Sequence, residues 1–460
     1  MSSKGSHLLL TDFPKDSSLK RITPLGNNHC QRWLSIVGFL VLLIYTATRL
    51  LIEPVESYVS VLLVLLGFGG IFLMGRELRF SPPIWMLLGA VIVVLLSWTF
   101  SHVHHPDWAE SSPKVHRLTI WFLFIAVAWL LGGETHRTFA TWGVFALSLL
   151  SAPWLTGDGI EELLLGFQGK RIDFGINNAQ HTAMLYALAF LGLIAFSRRF
   201  IKPGKARILR TSLWIAGLLI SGAVTVMAQT RGVWLGCIAA GSIFVTALII
   251  WLIRIRSPQI RKKIIIVAIT VAAFISAFTT FALSNVIEHR IIAETKVIEK
   301  LFSDVSIDNT SSSIAYRIVS WEAAIPWIME RPLIGWGGNG RKLVLDHSKH
   351  LPSWIEARTE HLHSSYMDIL TNFGFLGLAL FLAILIWTTQ QGIKAWRRGV
   401  MPGDMLTFYL GFVTFWLIVN SFESFMFYST GQYAFALVVG GIVTHIWRMQ
   451  TNDSNKVKNY

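Results

Sequence analysis

Two histidines one residue apart open the most chemically promising stretch of the chain, His361-Leu362-His363-Ser364-Ser365-Tyr366. An imidazole has an ordinary pKa of about 6.5, so near pH 7 it is largely neutral and able to take a proton from a hydroxyl. Three arginines border apolar runs or lie in the long segment between them: Arg171, Arg231 and Arg317. A guanidinium stays charged, and its planar fork pairs phosphate oxygens two at a time. Together these residue types suit the activation of a hydroxyl against a partner that carries phosphate. Each also has a plainer use. His363 can be a loop histidine bonded to backbone, Arg231 a snorkelling arginine on lipid phosphate, and Arg317 a solvated or ion-paired residue. His361, two residues before His363, is placed to orient an acceptor. His102, His104 and His105 cluster before Pro106, near Asp107 and Glu110. Such a group can gather a metal, but it has no cysteine and no regular carboxylate spacing, which favours a surface loop. Asp368 and Glu423 stand at the ends of apolar runs. There an ionisable side chain is a functional candidate by default, with pairing to a local arginine as the equal alternative. No Asp-x-Asp pair marks a metal–phosphate site, and no metal or cofactor is expected.

These side chains must be held by membrane-embedded helices. The chain is 53% hydrophobic and 14% charged, with a mean hydropathy of +0.54, whereas soluble domains carry about 25% charge. Continuous apolar runs of ~20 residues recur from Trp33 to Trp447, each long enough to cross the hydrocarbon as a helix. A barrel would show short alternating segments instead. The runs predict an all-α polytopic membrane protein with about twelve spans, near 33–52, 56–74, 82–101, 118–132, 138–155, 178–196, 211–229, 233–253, 264–283, 365–389, 405–422 and 428–447. Basic residues gather in the loops 197–210, 254–263 and 390–404 and in the N-terminal segment, all on one face. That face is cytoplasmic by the positive-inside rule. The net charge of +14 is thus a property of loops facing a membrane, and no nucleic-acid partner is implied. Cys30 precedes the first span and Cys237 lies within a later one, so no disulfide is expected. The first apolar run follows about 32 mostly polar residues and reads as a retained signal anchor.

The expected organisation is a cytoplasmic segment 1–32, nine spans over 33–283, a loop domain 284–364 on the outer face, three spans over 365–447 and a tail 448–460. The loop is long enough to be functional rather than a connector. Ile314, Ile318, Trp321, Ile325 and Ile328 predict an amphipathic helix within it, after the flexible run Asn309-Thr310-Ser311-Ser312-Ser313. Ile287, Ile291, Ile298 and Leu301 suggest another. Pro332, Gly335, Gly337, Gly338 and Gly340 mark a tight turn region. His363 falls where the tenth span should begin. A helix start there would disfavour imidazolium and attract an anion.

The His363-Ser364 pair is followed, nine residues on, by Gly374-Phe375-Leu376-Gly377. This His-Ser-x9-Gly-x-x-Gly pattern resembles that of bacterial O-antigen ligases. Arg231-Gly232-Val233-Trp234-Leu235-Gly236 resembles the Arg-Gly-x-Trp-Leu-Gly signature of the same superfamily. Arg317-x-x-x-Trp321 and Pro332-Leu333-Ile334-Gly335-Trp336-Gly337 resemble its loop elements. Arg171…Gly175…Asn178 resembles an altered form of a further segment. The resemblance spans roughly 165–380 and implies a GT-C-like glycosyltransferase of the bacterial inner membrane with its site facing the periplasm. It also implies transfer of a polysaccharide from undecaprenyl pyrophosphate to a sugar hydroxyl of lipid A–core, with inversion and without a metal. His363 would be the general base, Arg231, Arg317 and Arg171 would hold the pyrophosphate, and Gly374 and Gly377 would allow close helix packing. O-antigen polymerases and protein O-oligosaccharyltransferases share the donor and differ in acceptor. A secondary transporter is the reading from another class. Against it, no duplicated halves are evident, and the candidate residues gather at the outer surface rather than at mid-membrane.

Overall fold

A computed structural model describes residues 29–255, 313–348, 351 and 361–457, with scattered positions between 257 and 273. Most of the expected segment 1–32 and of the ninth span at 264–283, the helix suggested by Ile287–Leu301, and the polar run through Ser312 lie outside the described residues.

Helices make up the described chain, and no strand occurs among the described residues. In order they are α1 (His29–Thr48), α2 (Glu53–Met74), α3 (Pro82–His104), α4 (His116–Thr119), α5 (Leu123–Leu131), α6 (Thr135–Leu155), α7 (Ile160–Phe167), α8 (Ala179–Ala195), α9 (Ser197–Ile201), α10 (Arg207–Met227), α11 (Arg231–Arg254), α12 (Ser313–Glu330), α13 (Gly340–His347), α14 (Ser365–Arg397), α15 (Gly403–Val419) and α16 (Ser429–Val457). Among the described residues six helices are long and apolar enough to cross a membrane: those within α2, α3, α6, α10, α11 and α14. Four more apolar helical segments are shorter.

The core is built around α5 and α16. Every residue of α5 is buried, and α16 is buried on all sides from Ala434 to Val439. Two of its polar residues find partners inside the bundle. Thr444 accepts the Gly133 amide at 2.7 Å, and His445 meets Thr135 at 3.1 Å. Because other helices surround it, α16 tolerates Thr444 and His445 where a lipid-facing helix would not. At the same end Arg199 reaches Asp404 with two nitrogens, at 2.5 and 2.8 Å. That pair joins α9, in the basic segment after α8, to the first turn of α15, which follows the basic segment 390–404; charge counting puts both segments on one face.

The helix α14 is broken at Gly374, which has φ +60° and ψ −159°. The break frees carbonyls on one side and amides on the other, and the loop segment 332–337 takes both. Thr371 O and Asn372 O accept from Trp336 N and Gly337 N, each at 2.9 Å; Phe375 N and Leu376 N donate to Pro332 O and Leu333 O at 2.7 and 3.1 Å. Ser97 and Ser101 of α3 finish the seam, accepting from Gly337 N at 2.8 Å and donating to Trp336 O at 2.7 Å. Only glycine fits at the crossing. A Cβ at Gly374 would lie 2.4 Å from the Leu333 carbonyl carbon, and one at Gly335 would lie 2.5 Å from that of Asn372. Irregular backbone inside a helical bundle is tolerated when protein partners satisfy it in this way. The glycine-rich turn region is therefore spliced into α14.

The helix expected from Ile314 to Ile328 is present as α12, but its buried stripe is displaced. Tyr316, Ser320, Ala324 and Ile328 are buried, four residues apart, while Ile318 and Ile325 are about half exposed, at 47% and 55%. Small residues at 320 and 324 let α12 lie close to α13 and α14, and that closeness outweighs the larger isoleucines in choosing the buried face.

Candidate active site

The loop before α14 is tied at successive backbone positions. Tyr316 Oη donates to His361 O at 3.0 Å, and Trp321 Nε1 donates to Leu362 O at 2.8 Å. Leu362 N donates to Asp368 Oδ1 at 3.0 Å, and Ser365 N to Asn420 O at 2.9 Å. Ser364 caps α14 by accepting from Met367 N. His363, just before the cap, has φ +49°, a left-handed conformation uncommon for a residue with a Cβ and found where surrounding structure over-determines it. Asp368 is fully buried, and its other oxygen takes Arg341 Nη1 at 3.0 Å. For Asp368, then, the arginine partner is the one found. Through it, the splice at Gly374, helix α13 and the histidine loop form one connected support.

Glu423 is different. Its partners are the two histidines. His363 Nδ1 lies 2.9 Å from Oε2 and His361 Nε2 lies 3.3 Å from Oε1, which also accepts Ser424 N at 2.9 Å. The Glu423 side chain is 1% exposed, those of His361 and His363 13% and 20%. Burial by itself would raise the Glu423 carboxyl; the hydrogen bonds and charge of His361 and His363 outweigh it and hold the group below the ordinary carboxylate range. The helix start before which His363 sits thus does not act on the ring alone, because a carboxylate of opposite sign faces it. An ionised carboxylate only accepts, so His363 donates from Nδ1, and in the neutral ring the lone pair is then on Nε2. Tyr316 meets the His363 ring edge-on at 5.1 Å between centroids. Tyr428 Oη lies 2.9 and 3.1 Å from the two nitrogens of His361.

The arginines arrive from three other elements. Arg317 projects from α12 and donates to Phe422 O at 2.6 Å and to Gln180 Oε1 at 3.4 Å, beside Glu423. Burial lowers this guanidinium from its ordinary value and the Glu423 charge opposes that; it remains charged. Arg231 opens α11 and is half-buried. Its neighbour Gly232 packs on Phe422, whose ring would be 2.7 Å from a Cβ there. Arg171 is exposed and donates from Nε to Ala228 O at 3.1 Å, and Gln229 Nε2 donates to Gly169 O at 2.7 Å. So Arg171 is fastened to the turn that leads into Arg231. The structure brings His361, His363 and Arg317 around the 422–423 turn and packs Gly232, the neighbour of Arg231, against the same turn. It leaves Arg171 at the rim. His105 and His347 each stack on Trp108, at 4.7 and 4.8 Å, so His105 belongs to aromatic packing between α3 and the loop. A cavity of about 480 Å³ lies toward the basic end, lined by residues including Phe139, Trp142, Leu188, Phe408 and Leu437. It contains none of the histidine–glutamate group.

A buried core, helices of membrane-crossing length and a polar cluster at one end define a multi-pass membrane protein. Residues 216–382 match the family model of the O-antigen ligases. Over that region the chain is similar to the O-antigen ligases. The matched stretch holds Arg231, Arg317, His361 and His363; Arg171 precedes it, and Glu423 and Tyr428 follow it. No curated protein is found to match the chain.

Proposed function

We propose that the protein is an inverting glycosyltransferase of the inner membrane. It moves a polysaccharide from undecaprenyl pyrophosphate to a sugar hydroxyl of lipid A–core on the periplasmic side. The observation that carries this reading is the hydrogen bond of His363 Nδ1 to buried Glu423, 2.9 Å long. It presents Nε2 as an acceptor, the requirement for a general base. In the reaction Nε2 takes the proton of the acceptor hydroxyl as its oxygen attacks the anomeric carbon. The bond from that carbon to the pyrophosphate oxygen breaks, and the leaving group departs with the electron pair. The attack inverts the anomeric centre. Glu423 stabilises the imidazolium that forms, as the carboxylate does in other base–carboxylate pairs. Arg317 and Arg231 hold the pyrophosphate, and Arg171 assists from the rim. His361 orients the acceptor. No step calls for a metal or cofactor.

The test is ligation in a strain lacking its own ligase, with the parent compared to His363→Ala and Arg231→Ala at matched membrane levels. A lipopolysaccharide ladder from the parent, lost in both variants, supports the reading. Ligation by the variants at the parent's level overturns the roles of both residues. Longer glycans that stay on the lipid donor would identify a polymerase instead.

A further inference from the structure

We propose that His361, His363 and Glu423 form a binding site for a zinc-type divalent cation. One donor atom from each lies within 4.8 Å of the others. A tetrahedral ion with bonds of about 2.0–2.1 Å sets its ligands about 3.3 Å apart. His363 Nδ1 lies 2.9 Å from Oε2 of Glu423 and His361 Nε2 lies 3.3 Å from Oε1, so each imidazole already stands about one ligand–ligand spacing from the carboxylate. Two imidazoles and a carboxylate are a donor set that zinc uses with a fourth position open. Magnesium and calcium prefer oxygen ligands alone. Supporting contacts fix the ring planes, as outer contacts do in metal sites: Tyr428 Oη lies on His361, and the Tyr316 ring meets His363 edge-on. The charge of Arg341 is matched by Asp368. Arg317, next to Glu423, opposes a dication and keeps the occupant exchangeable.

Occupation has a chemical consequence, which rests on the role proposed for His363. A neutral imidazole that binds metal through Nδ1 must carry its proton on Nε2. The proton thus moves from Nδ1 to Nε2, and the lone pair that would receive the acceptor's proton is gone. Zinc bound here switches transfer off without entering the reaction.

The experiment titrates zinc into the purified full chain by calorimetry, with cobalt as an absorbing stand-in. The expected result is one ion per chain, with cobalt displaced by zinc. His361→Ala and Glu423→Gln should each weaken binding by more than about 100-fold, and Tyr428→Phe, which removes an outer contact, by about 10-fold. His102→Ala should bind as the parent does, and melting curves should show every variant folded. If the parent takes up no ion, or His361→Ala and Glu423→Gln bind zinc as tightly as the parent, the site does not exist. In the transfer assay, zinc should stop the parent and a chelator should restore it. If zinc binds at these residues and transfer continues unchanged, the metal site stands and the reading of His363 as base falls.

Discussion

Glu423→Gln tests the site at its centre. Glutamine keeps the length and one carbonyl acceptor but removes the charge that two histidines share at 2.9 and 3.3 Å. A hydrogen bond to a charged group contributes about 1.5–3 kcal/mol net. In the proposed reaction that contribution is largest in the transition state, when the His363 ring becomes imidazolium. Losing it should slow transfer by about 10- to 150-fold, at 1.36 kcal/mol per tenfold. The amide can also turn its NH2 toward Nδ1, which selects the tautomer with Nε2 protonated and deepens the loss. In the proposed reaction Glu423 positions and stabilises the base without touching the donor. The effect should therefore fall on kcat, with the KM for lipid-linked donor little changed. Glu423→Asp, which keeps the charge on a shorter arm, should lie between parent and glutamine variant. The assay is transfer by purified enzyme with donor and acceptor varied separately, beside a melting curve in the same detergent. A folded Glu423→Gln enzyme with kcat within about twofold of the parent would refute the reasoning, because no base that depends on this carboxylate could tolerate its neutralisation.

Arg341→Met should lower the melting temperature sharply, because it strands fully buried Asp368; breaking a buried pair from one side costs about 3–5 kcal/mol, and a parent-like melt would show that the pair does not support the loop. Gly374→Ala should destabilise as well. Its left-handed conformation alone costs a side chain about 1–3 kcal/mol, before the contact with Leu333, so a normal yield and melt would mean the splice rearranges freely. Arg317→Lys keeps the charge but loses the planar guanidinium whose Nη2 donates to both Phe422 O and Gln180 Oε1. It should raise the KM for donor with the fold intact, and unchanged donor kinetics would remove Arg317 from the pyrophosphate site. Arg171→Ala, at the exposed rim, should reduce transfer less than Arg231→Ala in the same assay.

The helical class was readable because apolar runs are local: described helices lie over eleven of the twelve expected spans. The candidate cluster was readable in part for the same reason. His361 and His363 announce themselves by adjacency at a helix start, and Arg231 by its place in a short turn. Glu423 carries no such mark. It stands 60 residues from His363, and a carboxylate at the end of an apolar run predicts an arginine as readily as a histidine. Asp368 found the arginine and Glu423 found the histidines. The distinction depends on which loop each helix end meets, a matter of tertiary packing and not of spacing. Tyr316 and Tyr428 were invisible for a similar cause, since one aromatic among many apolar residues has no pattern of its own.

The splice at Gly374 shows how the two kinds of information join. Gly374 suggests close packing and Pro332–Gly340 suggests a turn, and each reading is locally sound. Neither says that the carbonyls and amides freed by one break are the partners of the other. In the folded chain they must find partners, because an unsatisfied peptide group inside a helical bundle costs about 1–3 kcal/mol or more. The pairing seats the segment before α13 on α14, and α13 then delivers Arg341 to Asp368 and Asp368 to Leu362. The conformation of His363 is thus fixed from a break three helical turns away. Damage to that seam should loosen the histidine loop and so reduce transfer even when every site side chain is intact.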